Sequence, residues 1–146
     1  MKREILIIDD DIDIAMIIMD MLTDQGFGVT YARSSEEAFE ILTDKSFHLI
    51  ILDINLPGAI GFEVCRELRK VSEVPVIFAS ARTSETDRIT GLDIGGDDYI
   101  PKPFSMKELR AHINALLRRT YGFDDEKIVT FGDITVDIGS RTVTKG

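Results

Sequence analysis

Residues 5–11 read ILIIDDD, four aliphatic side chains followed directly by Asp9, Asp10 and Asp11. A fourth aspartate, Asp53, closes a second aliphatic run in LIILDINLPG, Ser80 ends VIFAS, and Lys102 lies in YIPKPF. Carboxylates gathered at one place repel: at about 4 Å and an effective dielectric near 20, each like-charged pair costs on the order of 4 kcal/mol. A hard divalent cation offsets that cost, and Mg²⁺ typically takes one or two carboxylates together with waters and a phosphate. A hydroxyl donor, an ammonium and a metal around one carboxylate make a receptor for a phosphoryl group. They can stabilise its equatorial oxygens while Asp53 attacks as nucleophile.

That chemistry requires distant segments to meet. Continuous apolar runs at Ile5–Ile8, Leu49–Leu52 and Val74–Phe78, with weaker ones at Val29–Ala32 and Tyr99–Ile100, predict strands covered on both faces, as in a parallel sheet. Between them Ala15, Met16, Met19 and Leu22 recur at helical spacing, as do Ala38, Ile41 and Leu42. Ser34 with Glu37, and Ser105 with Glu108, form capping boxes. The fourth helix is expected to begin at Ser84 and stop at Gly95-Gly96. Five strand–helix units ending near Arg119 predict an α/β fold: a doubly wound five-stranded parallel sheet, flavodoxin-like in order 2-1-3-4-5, with helices on both faces. Right-handed crossovers bring every strand's carboxyl end to one side, so Asp9–Asp11 and Asp53, after strands one and three, converge there with Ser80 and Lys102. Asp11 is better placed as a helix cap than as a ligand. Singly, Ser80 and Lys102 have ordinary explanations as a polar strand end and a solvated charge; at successive strand ends with the acids, the set points to function.

The 146 residues carry 44% hydrophobic and 29% charged side chains, a composition of ordinary globular proteins, and a formal net charge of −9 that opposes nonspecific attraction to nucleic acid or anionic membranes. The lone Cys65 excludes an internal disulfide and suits a reducing compartment. The apolar stretch near the start ends in acids rather than a cleavage site. A cytoplasmic protein is expected. After the fifth helix, 121–127 reads as a polar linker and 128–146 as short strands with turns at Gly132-Asp133 and Gly139-Ser140.

The segments IIDDD, LDINLPG, FASAR and DDYIPKPF, in this order, resemble response-regulator receiver domains of two-component signalling. With the tail, they resemble the OmpR/PhoB-type winged-helix subfamily, cut off early in its DNA-binding domain. The resemblance implies a receiver over 1–120, a linker over 121–127 and the first strands of a winged-helix domain over 128–146. It implies that Asp53 accepts a phosphoryl group from a sensor histidine kinase. Asp10, Asp53 and the backbone carbonyl of Asn55 would bind Mg²⁺ directly, and Asp9 through a water. Ser80 and Lys102 would contact the phosphoryl group, and Ser80 and Tyr99 would reorient as the switch. A cis Lys102–Pro103 bond is also implied.

The resemblance further implies a homodimer on activation, through a face carrying Arg88, Asp93, Asp98, Glu108 and His112. There His112 replaces a usual arginine, and Asn114 a usual lysine. His112 is then either a plain surface side chain or a group whose titration makes dimerisation depend on pH. DNA would be met only through the winged-helix domain that this chain lacks, to control transcription. Two other readings stand beside this one. A phosphorylation-independent regulator is opposed by the intact acids, Ser80 and Lys102. An aspartate-nucleophile phosphatase needs a second aspartate where Asn55 stands, so the expected protein is a phosphoacceptor regulator rather than an enzyme.

Overall fold

A computed structural model describes residues 2–56, 61–81 and 84–122. In chain order the elements are β1 (Glu4–Ile8), α1 (Ile12–Asp24), β2 (Gly28–Ala32), α2 (Ser35–Asp44), β3 (Leu49–Leu52), α3 (Gly61–Arg69), β4 (Val76–Ser80), α4 (Glu85–Ile94), β5 (Asp98–Pro101) and α5 (Met106–Tyr121). All strand pairings are parallel, in the order β2-β1-β3-β4-β5. This is the doubly wound order expected from the sequence. Right-handed crossovers send α1 to one face and α2, α3 and α4 to the other, because the path reverses direction after β2. The reversal leaves β1 and β3 adjacent, with Ile5 beside Leu49 and Ile8 beside Leu52.

Burial on both faces explains the apolar strands. Leu6, Ile8, Ile50, Leu52, Val76 and Phe78 pack with Phe62, Cys65 and Leu68 of α3 on one face. The alternate residues Ile5, Ile7, Leu49, Ile51 and Ile77 are equally buried. At the amino ends of the strands, His48 Nδ1 accepts from Glu4 N–H at 2.9 Å while His48 N–H donates to Glu4 O at 2.8 Å. His48 is thus a structural clasp between β1 and β3.

The caps formed much as expected. Ser34 Oγ accepts from Glu37 N–H at 3.2 Å, and Ser105 Oγ from Glu108 N–H at 2.9 Å. The Glu37 carboxylate closes its box one residue early, onto Arg33 N–H at 2.7 Å. Ser84 caps α4, which stops at Gly95 with φ of 126°.

Three expectations shift. β4 begins at Val76 rather than Val74, because Val74 N–H turns to Ser72 Oγ at 3.1 Å and Pro75 has no N–H to give. Met16 is 55% exposed, because α1 is buried along Ala15, Ile18 and Leu22 instead. α5 continues past Arg119 to Tyr121, and Gly122, at φ of 83°, ends it. Lys2–His112 group as one compact unit and the described residues 113–122 belong to another; in the latter, Ile113, Leu116 and Leu117 are buried. The expected strands of 128–146 and all but the first two residues of the 121–127 linker lie outside the described residues.

Phe78 shows how tightly the core is fitted. Its ring stands edge-on to Phe62 at 5.4 Å and tilted against Tyr99 at 6.0 Å. A Cβ at Gly96 would come within 2.4 Å of that ring and 3.0 Å of Gly91 O. A Gly96→Ala substitution is therefore expected to overpack the core and lower stability by about 1–3 kcal/mol, read as a lower urea midpoint; an unchanged midpoint would show that the ring can move aside.

Candidate functional site

The strand ends are carried past the sheet by further backbone bonds. Asp9 N–H donates to Ala32 O at 3.1 Å, Asp53 N–H to Ile8 O at 2.9 Å, and Lys102 N–H to Ser80 O at 2.9 Å. Asp9, Asp53 and Lys102 are thus each held at the backbone by the end of a neighbouring strand. Asp9, Asp10 and Asp53 each present a carboxylate oxygen, and these oxygens lie within 4.8 Å of one another. Lys102 Nζ reaches into the group, at 2.9 Å from Asp9 Oδ2 and 3.4 Å from Asp53 Oδ2. Asp9 and Asp53 are only 3% and 7% exposed, whereas Asp10 faces solvent. Three hard oxygen donors at this spacing, with one open to solvent, suit a divalent cation that keeps part of its water shell.

The rest of the constellation arrives at the same edge. Ser80 is the fully buried last residue of β4, and Tyr99 lies buried in β5. Asn55 N–H approaches Asp53 Oδ1 at 3.4 Å. Asp11 turns away to cap α1, accepting from Asp13 and Ile14 N–H at 3.1 and 3.3 Å. The Lys102–Pro103 bond is cis.

Arg88 and Asp93 lie on α4, Asp98 on β5, and Glu108 and His112 on α5. The His112 side chain is partly exposed. Its Nδ1 lies 2.7 Å from Asp98 Oδ2 of the same chain, while Asp98 Oδ1 accepts from Tyr99 N–H at 2.8 Å.

Two residues at the site escaped sequence reasoning. Gly61 starts α3 directly beneath Asp53, where a Cβ would meet the Asp53 carbonyl oxygen at 2.2 Å. Its only signal was a glycine just after a strand-end loop. Tyr31 donates its hydroxyl to Asp9 O at 2.7 Å. Nothing in a short, weakly apolar run marked it.

Over residues 5–114 the sequence matches the family described as response regulator receiver domain. The chain belongs to that family. It is 37% identical over 144 residues to the transcriptional regulatory protein CpxR of Klebsiella pneumoniae subsp. pneumoniae (strain HS11286), covering 99% of this chain and 62% of that protein. It is 41% identical over 150 residues to the probable transcriptional regulator ycf27 of Porphyra purpurea, covering 99% of this chain and 62% of that protein. The chain thus spans under two thirds of the length of these relatives. Among solved structures, a two-component response regulator from Clostridium difficile is 31% identical with a TM-score of 0.80, covering 82% of this chain and 98% of that one. The Francisella response regulator 1452 receiver domain is 35% identical with a TM-score of 0.77, covering 82% and 99%. Among the described residues, no helix is long and apolar enough to cross a membrane.

The electrostatics follow from burial. Desolvation, reinforced by the Asp53 charge, pushes the Asp9 carboxyl above its ordinary value, against the opposing bonds from Lys102 and Asp11 N–H. Burial alone would lower the Lys102 ammonium, but its bond to Asp9 and the charges of Asp53 and Asp9 outweigh that and raise it. Desolvation and the nearby Asp9 likewise raise the Tyr31 phenol, which stays a donor.

A raised carboxyl binds its proton more tightly folded than unfolded. Asp9 therefore contributes most at low pH, and that contribution is lost as pH rises from the unfolded value of 3.8 through the higher folded one. Raised Lys102 stabilises below the unfolded value of 10.5 and ceases to do so as pH climbs through its folded value. At neutral pH in chelator, Asp9→Asn is expected to raise the melting temperature and to flatten the fall in stability expected of wild type as pH rises above 3.8. A melting temperature lowered by the substitution would mean that attraction to Lys102 outweighs the desolvation.

Proposed function

We propose that this chain is the phosphoryl-accepting part of a two-component transcriptional regulator, and that Asp53 is the acceptor. One observation carries the reading: the nearly buried Asp53 carboxylate is flanked within 3.4 Å by Lys102 Nζ and shares its strand-end pocket with the Asp9 and Asp10 oxygens. An Asp53 oxygen attacks the phosphorus of a phosphohistidine on a sensor kinase. The P–N bond breaks, its electron pair returns to the imidazole, and an acyl phosphate forms on Asp53. Lys102 Nζ shifts from the carboxylates toward the equatorial oxygens and holds their charge, and Ser80 supplies a hydroxyl donor. Asp10, Asp53 and the Asn55 carbonyl would hold Mg²⁺, with Asp9 acting through a water. When bound, the ion neutralises charge between phosphoryl oxygens and carboxylates.

The switch rests on population shift: the phosphoryl group need only favour the active arrangement of Ser80 and Tyr99 over the inactive one. That arrangement favours a homodimer through the face bearing Arg88, Asp93, Asp98, Glu108 and His112. Residues 1–120 form the receiver, 121–127 the linker, and 128–146 open a winged-helix domain that, when complete, would bind DNA half-sites. The names of the two relatives, both transcriptional regulators, support that role. A cytoplasmic location goes with it.

Incubation with acetyl phosphate and Mg²⁺ is expected to add a single phosphoryl group, seen by intact-mass spectrometry. Asp53→Asn should abolish the adduct, and Lys102→Ala should slow its formation by about 10²-fold, the usual loss for one charge-stabilising donor. An adduct that survives Asp53→Asn contradicts the assignment, and sustained phosphate release from small phosphomonoesters would favour a phosphatase instead.

A further inference from the structure

One side chain reaches the acidic loop from a strand that contributes none of the chemistry assigned above. Tyr31 is the next-to-last residue of β2, paired with Ile7 of β1. Its hydroxyl donates at 2.7 Å to the carbonyl oxygen of Asp9. That oxygen belongs to the peptide joining Asp9 to Asp10. A peptide unit is planar, so a bond at its oxygen restrains the rotation of the whole plate. The torsions on either side of the plate, ψ of Asp9 and φ of Asp10, set the directions in which the two carboxylates leave the backbone.

The end of β2 grips Asp9 from both sides. Asp9 N–H donates to Ala32 O at 3.1 Å, and Asp9 O accepts from Tyr31. Beyond this bracket the chain makes Asp11 N–H to Asp9 Oδ1 at 2.9 Å and then enters α1. Asp10 is exposed at the rim, and among the described residues the bond from Tyr31 is the one hydrogen bond on the Asp9–Asp10 peptide. Mutual repulsion of the Asp9, Asp10 and Asp53 oxygens favours turning that peptide so that the carboxylates part.

We infer that Tyr31 is a positioning residue for the divalent-cation site: its hydroxyl pins the Asp9–Asp10 peptide so that both carboxylates stay aimed at Asp53. The inference rests on reading the acidic cluster as a cation site. Its consequence is specific. Loss of one hydroxyl, with no ligand removed, weakens cation binding because the loop then spends part of its time with the carboxylates turned apart.

The test is isothermal titration of Mg²⁺ into the whole chain, after chelator treatment, with wild type, Tyr31→Phe and Val29→Ala. Tyr31→Phe keeps the ring and removes only the hydroxyl. Val29→Ala loosens the same strand opposite Ile5 without touching the acidic loop, and thermal melts in chelator report the general stability of each. Tyr31→Phe is expected to weaken Mg²⁺ about three- to tenfold, the span of a net hydrogen bond, while Val29→Ala keeps the wild-type affinity despite a lower melting temperature. A wild-type Kd for Tyr31→Phe, or an equal loss for Val29→Ala, overturns the positioning role and leaves the cation site standing. Absence of Mg²⁺ binding by wild type overturns the cation site itself, and the inference with it.

Discussion

Everything at this site depends on repulsion held in check. Three carboxylate oxygens from two strand ends lie within 4.8 Å of one another, two of the side chains are nearly buried, and within the described residues the ammonium of Lys102 is the cation bonded to them. One positive charge against three negative leaves the cluster short of neutral. Burial, with a smaller push from the Asp53 charge, raises the Asp9 carboxyl. A divalent cation would bring such a pocket to formal neutrality.

The fold supplies what the charges cannot. Parallel strands buried on both faces give the strand ends a rigid base, and the bonds Asp9 to Ala32, Asp53 to Ile8 and Lys102 to Ser80 extend that base beyond the last strand residue. The order β2-β1-β3-β4-β5 then sets the acids of β1 and β3 side by side and brings in Lys102 from the far edge. Gly61 lets α3 start close under Asp53. Arg69 fixes the distal side of the same layer, donating to Gly95 O at 2.8 Å and to Asp97 Oδ2 at 3.1 Å, while that Asp97 oxygen accepts from Val76 N–H. The stable parts of the molecule thus converge on a small, electrostatically unsettled rim.

Much of this was legible before any coordinates. β1 and β3 stood out because strands covered on both faces need unbroken aliphatic runs, and Ser34, Ser84 and Ser105 marked helix starts because their hydroxyls had orphan N–H groups to satisfy. Alternation predicted a parallel sheet, and handedness put its strand ends, with Asp9, Asp53, Ser80 and Lys102, on one side. Other features depended on tertiary contact. Met16 fits the helical period as well as Ile18 does, and only packing decides which is buried. Pro75 and Ser72 moved the start of β4 through local bonds that no hydrophobic count registers. The Tyr31 bond to Asp9 and the His112 contact with Asp98 join residues far apart in sequence. The expected strands of 128–146 fall beyond the described residues.

Thermal unfolding followed as Mg²⁺ is raised from chelator to saturation tests the central claim most directly, because a cation that binds only the folded cluster must stabilise it. At a free concentration one hundred times Kd the gain should approach about 2.7 kcal/mol, as a rise in melting temperature that disappears in Asp10→Asn. A melting temperature indifferent to millimolar Mg²⁺, or an equal rise in Asp10→Asn, would mean that the clustered acids do not form a cation site.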